Sequence, residues 1–335
     1  MAVDGGDTLK DLSKDKCVNP RAQFYKKPIR KDNYNLDVDN IDSPQEIRRQ
    51  QLLQHQKKSR DAAFNIGRGL VEEAFNSEDE NDNEMEVDRH KEYKVKKYKN
   101  YGNRLMLSEW MLEVPQDFLE KWTMVPCPIG QRTQIIACKG STKAFNRRGL
   151  RLGKFSSALP GGNSENQRNS CTILDCIWVK ELKTYYALDI LAWSNQTFLN
   201  CEAEFRLFWL NAQLQDIKVL KEREYRVNSF PILPLPQIPC DQNLSELLNT
   251  IHDLPTLDGL LFYHREGLYT CGRSPLVTWL KSFMLPEVLG IRVPPPFDEK
   301  PDGYIDFKHY IQSSTAKRKK GKLTESKMEV VEVNA

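Results

Sequence analysis

The stretch whose reading decides the fold is Asp258–Lys281, DGLLFYHREGLYTCGRSPLVTWLK. Leu260–His264 reads as a strand, Arg265–Gly267 as a hairpin tip and Leu268–Cys271 as the returning strand, because apolar and aromatic residues flank a polar turn. Gly272–Pro275 then reads as a second turn, and Leu276–Met284 as a helix. Short strands with polar tips and a tryptophan, Trp279, just past a turn make a floor for a flat ligand. Burial statistics alone favour plain core for any single tryptophan.

Outward from this stretch, the composition sets the frame. A chain of 335 residues fits two domains, or one large domain with appended segments. Only 39% of it is hydrophobic and 28% is charged, so a core must be concentrated in part of the chain. The net charge of +3 conceals strong local segregation. No signal-like N-terminus and no bilayer-length apolar run occur, which predicts a soluble intracellular protein with no membrane partner. The eight cysteines include no CxxC pair, the closest being Cys171 and Cys176, and the five histidines lack ligand spacing. Reduced, mostly buried thiols are expected, with no metal and no other cofactor.

Read in order, residues 1–20 form a polar tail expected to be disordered. Residues 21–69 are basic. Arg21, Lys26 and Lys27 lie in extended, Pro-punctuated sequence before a helix over about 44–66. Ser43 is its expected cap, Pro44 its first residue, Glu46 the capping-box partner, and Gly67 and Gly69 its stop signals. Arg48, Arg49, Lys57, Lys58, Arg60 and the glutamines outnumber Ile47, Leu52, Leu53, Ala63 and Phe64. A helix polar nearly all round has little to bury and is expected to order on an acidic partner, either a protein or a phosphate backbone. Residues 70–100 read as a linker, strongly acidic over Glu72–Asp88 and then basic. Residues 101–307 form the globular domain, and 308–335 a disordered basic tail. In the domain, Trp122–Val125, Gln134–Ala137, Thr172–Val179, Thr184–Leu191 and Glu204–Trp209 read as strands. Leu244–Ile251 reads as a helix, and Pro231–Pro239 as an extended connection. The predicted class is α+β with mostly antiparallel sheets.

Asp258-Gly259-Leu260-Leu261-Phe262-Tyr263-His264, with Pro275-Leu276-Val277 and Trp279-Leu280, resembles the snurportin family, import adaptors that bind the trimethylguanosine cap of spliceosomal small nuclear RNAs. Asn19-Pro20-Arg21 through Lys27, followed by Ile47-Arg48-Arg49 and Gln56–Arg60, resembles that family's importin-beta-binding domain, with an acidic insert, Asn33–Ile41, as a departure. The resemblance spans about Asn19 to Pro301. It implies capped RNA and its particle as cargo, importin beta as carrier, an exportin with Ran-GTP for recycling, and shuttling between cytoplasm and nucleus. Export contact would fall on Met1, Leu9 and Leu12.

The strand pair around ILDCIWVKELKTYYALDIL and DGLLFY also resembles the nucleotide-binding domain of mRNA-capping guanylyltransferases and ATP-dependent DNA ligases. Their K-x-D-G nucleophile motif has only Lys139-Gly140-Ser141-Thr142 as a counterpart here, so a binding protein without catalysis is expected. The alternatives are an active nucleotidyltransferase and a generic phosphate-gripping RNA binder. By resemblance, Trp279 is the stacking platform and Trp110 the wall beside the N2 methyls, with Leu107 and Ser108 next to it. Cys127, Arg132 and Arg147 line the pocket, the two arginines toward phosphate, with Lys143 and Arg148 as flanking cations. The importin contacts implied are Arg21, Lys26, Lys27, Arg48, Arg49, Lys57, Lys58, Arg60 and Arg68.

Overall fold

A computed structural model describes residues 44–76, 101–165, 168–224, 226–241 and 256–314. Several expectations fall outside them: the tail with Met1, Leu9 and Leu12, the cations Arg21, Lys26 and Lys27, the insert at 33–41, the acidic run from 77, the helix at 244–251 and the basic tail from 315.

The class is α+β, with two mostly antiparallel sheets. The first sheet has the order β1-β12-β11-β2-β10. It contains β1 (Met106–Trp110), β2 (Trp122–Pro128), β10 (Ile238–Pro239), β11 (Leu257–His264) and β12 (Gly272–Leu280). The second has the order β5-β4-β3-β6-β7-β8, with β9 added alongside β7. Its strands are β3 (Gln131–Cys138), β4 (Ser141–Asn146), β5 (Arg151–Phe155), β6 (Cys171–Val179), β7 (Thr184–Trp193), β8 (Gln196–Thr197) and β9 (Ile232–Pro234). Among the described residues the exceptions to antiparallel pairing are β1 with β12 and β7 with β9.

The strands read as continuous apolar runs because both faces of each sheet are covered. Val125, Cys127, Leu261, Val277 and Trp279 of the first sheet meet Ile136, Phe145, Ile173 and Ile177 of the second in a shared inner core. The outer face of the first sheet, with Trp122, Phe262 and Leu280, packs under α3 (Phe118–Lys121), α5 (Leu285–Val288) and a helix at 307–314. The outer face of the second, with Ile135, Leu174 and Ile190, packs under α4 (Ala203–Asp216).

Four expectations are corrected. Glu204–Trp209 lies in helix α4, whose buried Ala203, Leu207, Leu210 and Leu214 follow helical spacing. Its aromatic density mimics a strand. Residues 276–280 belong to β12, whose Val277 and Trp279 enter the inner core while Leu280 enters the outer one, and only 282–284 and 285–288 are helical. The returning strand starts at Gly272 rather than Leu268. The C-terminal helix at 307–314 anchors Phe307 and Ile311 in the core, so order extends beyond 307.

The basic segment departs furthest from expectation. Helix α1 (Gln45–Lys58) ends at Ser59, and α2 (Arg60–Asn76) runs through both glycines. Gly67 is the point of closest approach: a Cβ there would lie 1.7 Å from Thr197 Oγ1. Leu70, Val71 and Ala74 then join the inner core. Burial of this stripe, about 1.5–3 kcal/mol for a fully buried Leu or Val, outweighs two helix-interior glycines at about 1 kcal/mol each. Pro44 makes no side-chain cap. The α1 start is capped from the domain instead, where the Glu46 N–H donates to Glu113 Oε2 at 2.9 Å.

Candidate functional site

The site grows from the β2–β11–β12 ladder. Gly259 stands opposite Cys127, and Leu261 opposite both Val125 and Trp279. A Cβ on Gly259 would fall 2.4 Å from Trp279 Cζ2, 2.9 Å from Cε2 and 2.6 Å from the Leu280 carbonyl oxygen. The indole therefore lies across Gly259, and no larger residue fits beneath it. The ring is half-buried, at the border of the inner core. Lys281 Nζ sits 5.7 Å from its centroid, so the ring already faces a cation. Asp258 holds that ammonium in an ion pair. Cys127 is buried, and burial pushes its thiol up to about 12, so it presents a neutral, soft wall.

Leu107, Ser108 and Trp110 lie half-buried on β1, the edge strand beside β12. Trp110 pairs in register with Trp279, but its ring packs edge-on against Phe307 and Tyr310, with centroids 6.4 and 6.0 Å away. The register shifts between Ser108 and Glu109, and such an irregularity exchanges the faces of the residues beyond it. Met106 thus reaches the inner core and Trp110 the outer one. Trp110 and Trp279 are thus register partners on adjacent strands that pack against different cores.

Arg132, expected at phosphate, is clamped by Asp175, with Nη2 at 2.7 Å from Oδ2 and 3.3 Å from the Met106 carbonyl oxygen. The Tyr269 hydroxyl donates to the same Asp175 oxygen at 2.8 Å and accepts the Met106 N–H at 3.0 Å. Burial opposes the Arg132 charge, but Asp175 keeps its guanidinium above the ordinary arginine value. This network ties the second sheet to β1, which makes Arg132 a positioning residue for the strand that carries Leu107 and Ser108. Arg147 is exposed at the β4–β5 tip, where its carbonyl accepts the Asn103 N–H at 3.0 Å. Gly149 (φ +81°) lets that tip close on the lead-in to β1: its Cβ position lies 2.5 Å from Gly102 N. Lys139 (φ +56°) and Gly140 (φ +78°) form the two-residue turn between Cys138 and Ser141, the left-handed pair that such hairpins favour.

The basic helix docks on this domain. Arg48 makes a bidentate pair with Glu109, at 2.6 and 2.8 Å, and the Gln45 amide donates to Glu109 and to the Trp110 carbonyl oxygen at 2.9 and 3.0 Å. Burial raises the Glu109 carboxyl, yet those donors bring it below its usual value. Arg49 is 2% exposed, lies 5.4 Å over the Trp122 ring, and donates to the carbonyls of Pro275 and Glu113 at 3.2 and 2.7 Å. Lys57 and Lys121 grip Glu266 at 3.0 and 2.8 Å, and hold its carboxyl down to about 2. Arg60 pairs with Glu202. Lys58 is exposed, and Arg68 faces Glu72 at 4.0 Å on its own helix. Sequence reasoning missed Gln45, Gln56, Glu109, Glu113 and Glu266. The available signal was the polar stripe Gln45, Arg49, Gln56, whose helical spacing marks one buried face.

Residues 104–282 match the family model described as Snurportin1, m3G cap-binding domain, which is more than half of the chain. The class of protein so defined is that of m3G cap-binding proteins. The chain belongs to the snurportin family. Among solved structures it is similar to the ligase domain of M. tuberculosis LigD, at 13% identity and a TM-score of 0.36, over 54% of this chain and 59% of that one. It is also similar to the Chlorella virus DNA ligase-adenylate, at 15% identity and a TM-score of 0.35, over 54% of this chain and 67% of that one.

Proposed function

We propose that the protein is an adaptor that binds the trimethylguanosine cap of small nuclear RNA at Trp279 and recruits importin beta through its basic segment. The observation that carries the first half is the indole laid across Gly259 at the edge of the inner core, its face already opposed by an ammonium. An N7-methylated guanine carries delocalised positive charge, so it stacks on such a ring more strongly than guanine does. Cys127, Leu107 and Ser108 supply the neutral surroundings that a base with N2 methyls requires. On this reading the chain binds and does not catalyse; a covalent adduct of labelled GTP or ATP on Lys139 would overturn that.

For the second half, support comes from the carboxylates that Arg48, Lys57 and Arg60 already engage. An acidic concave surface offers the same chemistry, so importin beta would take these cations in exchange for Glu109, Glu266 and Glu202. Recycling by an exportin with Ran-GTP, and shuttling between nucleus and cytoplasm, complete the proposal. The test is titration of the full chain and its Trp279→Ala variant with fluorescent trimethylguanosine and monomethylguanosine cap dinucleotides. Preference for the trimethyl cap, lost on substitution, is expected. Equal binding of both caps by both proteins would sink the reading.

A further inference from the structure

The β4–β5 hairpin carries charge of one sign in its sequence. From Lys139 to Phe155 the chain carries Lys139, Lys143, Arg147, Arg148, Arg151 and Lys154, and no carboxylate. All but Lys143 are exposed. Lys143 and Lys154 stand directly opposite each other across the two strands. Beside β5 opens a cleft of about 420 Å³ lined by Lys154, Arg223, Phe230 and the hydroxyls of Ser141, Ser156 and Ser229. Arg223 lies 5.8 Å over the Phe230 ring.

We infer that this hairpin and its cleft form a track for the phosphate backbone of single-stranded RNA immediately downstream of the cap. The inference rests on the cap-binding reading and extends it from the cap to the chain attached to it. Continuity supports it. The hairpin tip bonds Asn103, and Leu107 lies four residues further, at most roughly 14 Å of extended chain. An RNA leaving the cap site at Trp279 and β1 therefore meets Arg147 first and the rest of the hairpin next. Cations along a strand pair, with hydroxyls and one aromatic face at the end, suit repeated phosphates, 2′-hydroxyls and a stacked base. A folded acidic protein would call for several apolar anchors, and the hairpin exposes one, Leu152. Edge lysines also guard against strand pairing, and the test separates that role.

The experiment uses the full chain, the variant Arg151→Gln/Lys154→Gln, and the charge-preserving Arg151→Lys/Lys154→Arg. The probes are a trimethylguanosine cap dinucleotide, the same cap on an RNA of roughly 12 nucleotides, and that RNA uncapped. Wild type should bind the capped RNA more tightly than the dinucleotide. With three phosphate contacts that advantage should shrink roughly 20-fold between about 50 and 200 mM salt. The glutamine variant should lose the advantage and keep its dinucleotide affinity and melting temperature; the arginine variant should keep both. Equal affinity of wild type for dinucleotide and capped RNA overturns the track, as does an advantage that survives in the glutamine variant. A glutamine variant that only aggregates more readily assigns Arg151 and Lys154, on the edge strand β5, to edge protection and overturns it too. Failure of wild type to bind the dinucleotide sinks the cap reading instead. The uncapped RNA, wild type against glutamine variant, then decides the track by its salt slope.

Discussion

Replacing Gly259 by alanine should disable the stacking platform without touching it. The added methyl would sit 2.4 Å from Trp279 Cζ2 and 2.6 Å from the Leu280 carbonyl oxygen. Both distances are shorter than any van der Waals contact, so something must move. The carbonyl belongs to the β12 backbone beside β11, whereas the half-buried indole has solvent on one side. The ring therefore tilts. Overpacking of this kind costs about 1–3 kcal/mol of stability. Loss of the cation–π stack costs about 1–2 kcal/mol of binding, or roughly 5- to 30-fold in affinity. Titration with the trimethylguanosine cap dinucleotide, wild type beside Gly259→Ala and Trp279→Ala, reads the effect, with thermal melting as the folding control. The two variants should fall together, and an unmethylated GpppG control should lose less because it carries no cation. Wild-type affinity in a folded Gly259→Ala protein, with Trp279→Ala impaired, would refute the claim that the glycine sets the ring.

Asp189 and Arg206 are both fully buried and pair bidentately at 2.9 and 3.0 Å; Asp189→Ala should cost about 3–5 kcal/mol in urea denaturation, because it strands a buried guanidinium. The Glu266 carboxyl is held down to about 2 from an ordinary 4.5 by its hydrogen bonds to Lys121 and Lys57. Its contribution is therefore complete above pH 4.5 and drains away as pH falls toward 2. Hydrogen exchange of the α1 amides should accelerate over that window in wild type, and Glu266→Gln should flatten the response. Glu109→Gln combined with Glu266→Gln removes two docking carboxylates, and at about 0.2–1 kcal/mol each should raise importin beta affinity several-fold in a pull-down titration; unchanged affinity would show that the docked helix does not compete.

Much of the fold was legible because the main strands carry unambiguous runs: Thr172–Val179 and Thr184–Leu191 are strands nearly to the residue. The errors share a cause. Helix α4 is dense in aromatics, and β12 is apolar on both sides, so alternation was absent where it would have told them apart. At the site, Trp279 and Cys127 pack toward the inner core and Trp110 toward the outer one, because of an irregularity at Ser108 and Glu109 that leaves no trace in residue spacing. Arg132 illustrates a further limit: nothing local to it announces that Asp175, distant in sequence, will occupy its charge.

The basic helix shows why a polar segment cannot be equated with an undocked one. Gln45, Arg49 and Gln56 are buried by hydrogen bonds rather than by apolar area: Arg49 reaches two carbonyls, and Gln56 exchanges bonds with the Leu268 N–H and carbonyl at 3.0 and 3.3 Å. Such a contact is held by directional groups that water or another acidic surface can satisfy equally, so its net worth is small although its geometry is specific. An apolar interface of the same size would lock α1 down. This one leaves it exchangeable, while Gln45 and Arg48 hold the very strand, β1, that Arg132, Asp175 and Tyr269 position from the other sheet. Release of α1 from Glu109 therefore removes one restraint on β1, the strand that carries Leu107 and Ser108 and that β12 also holds.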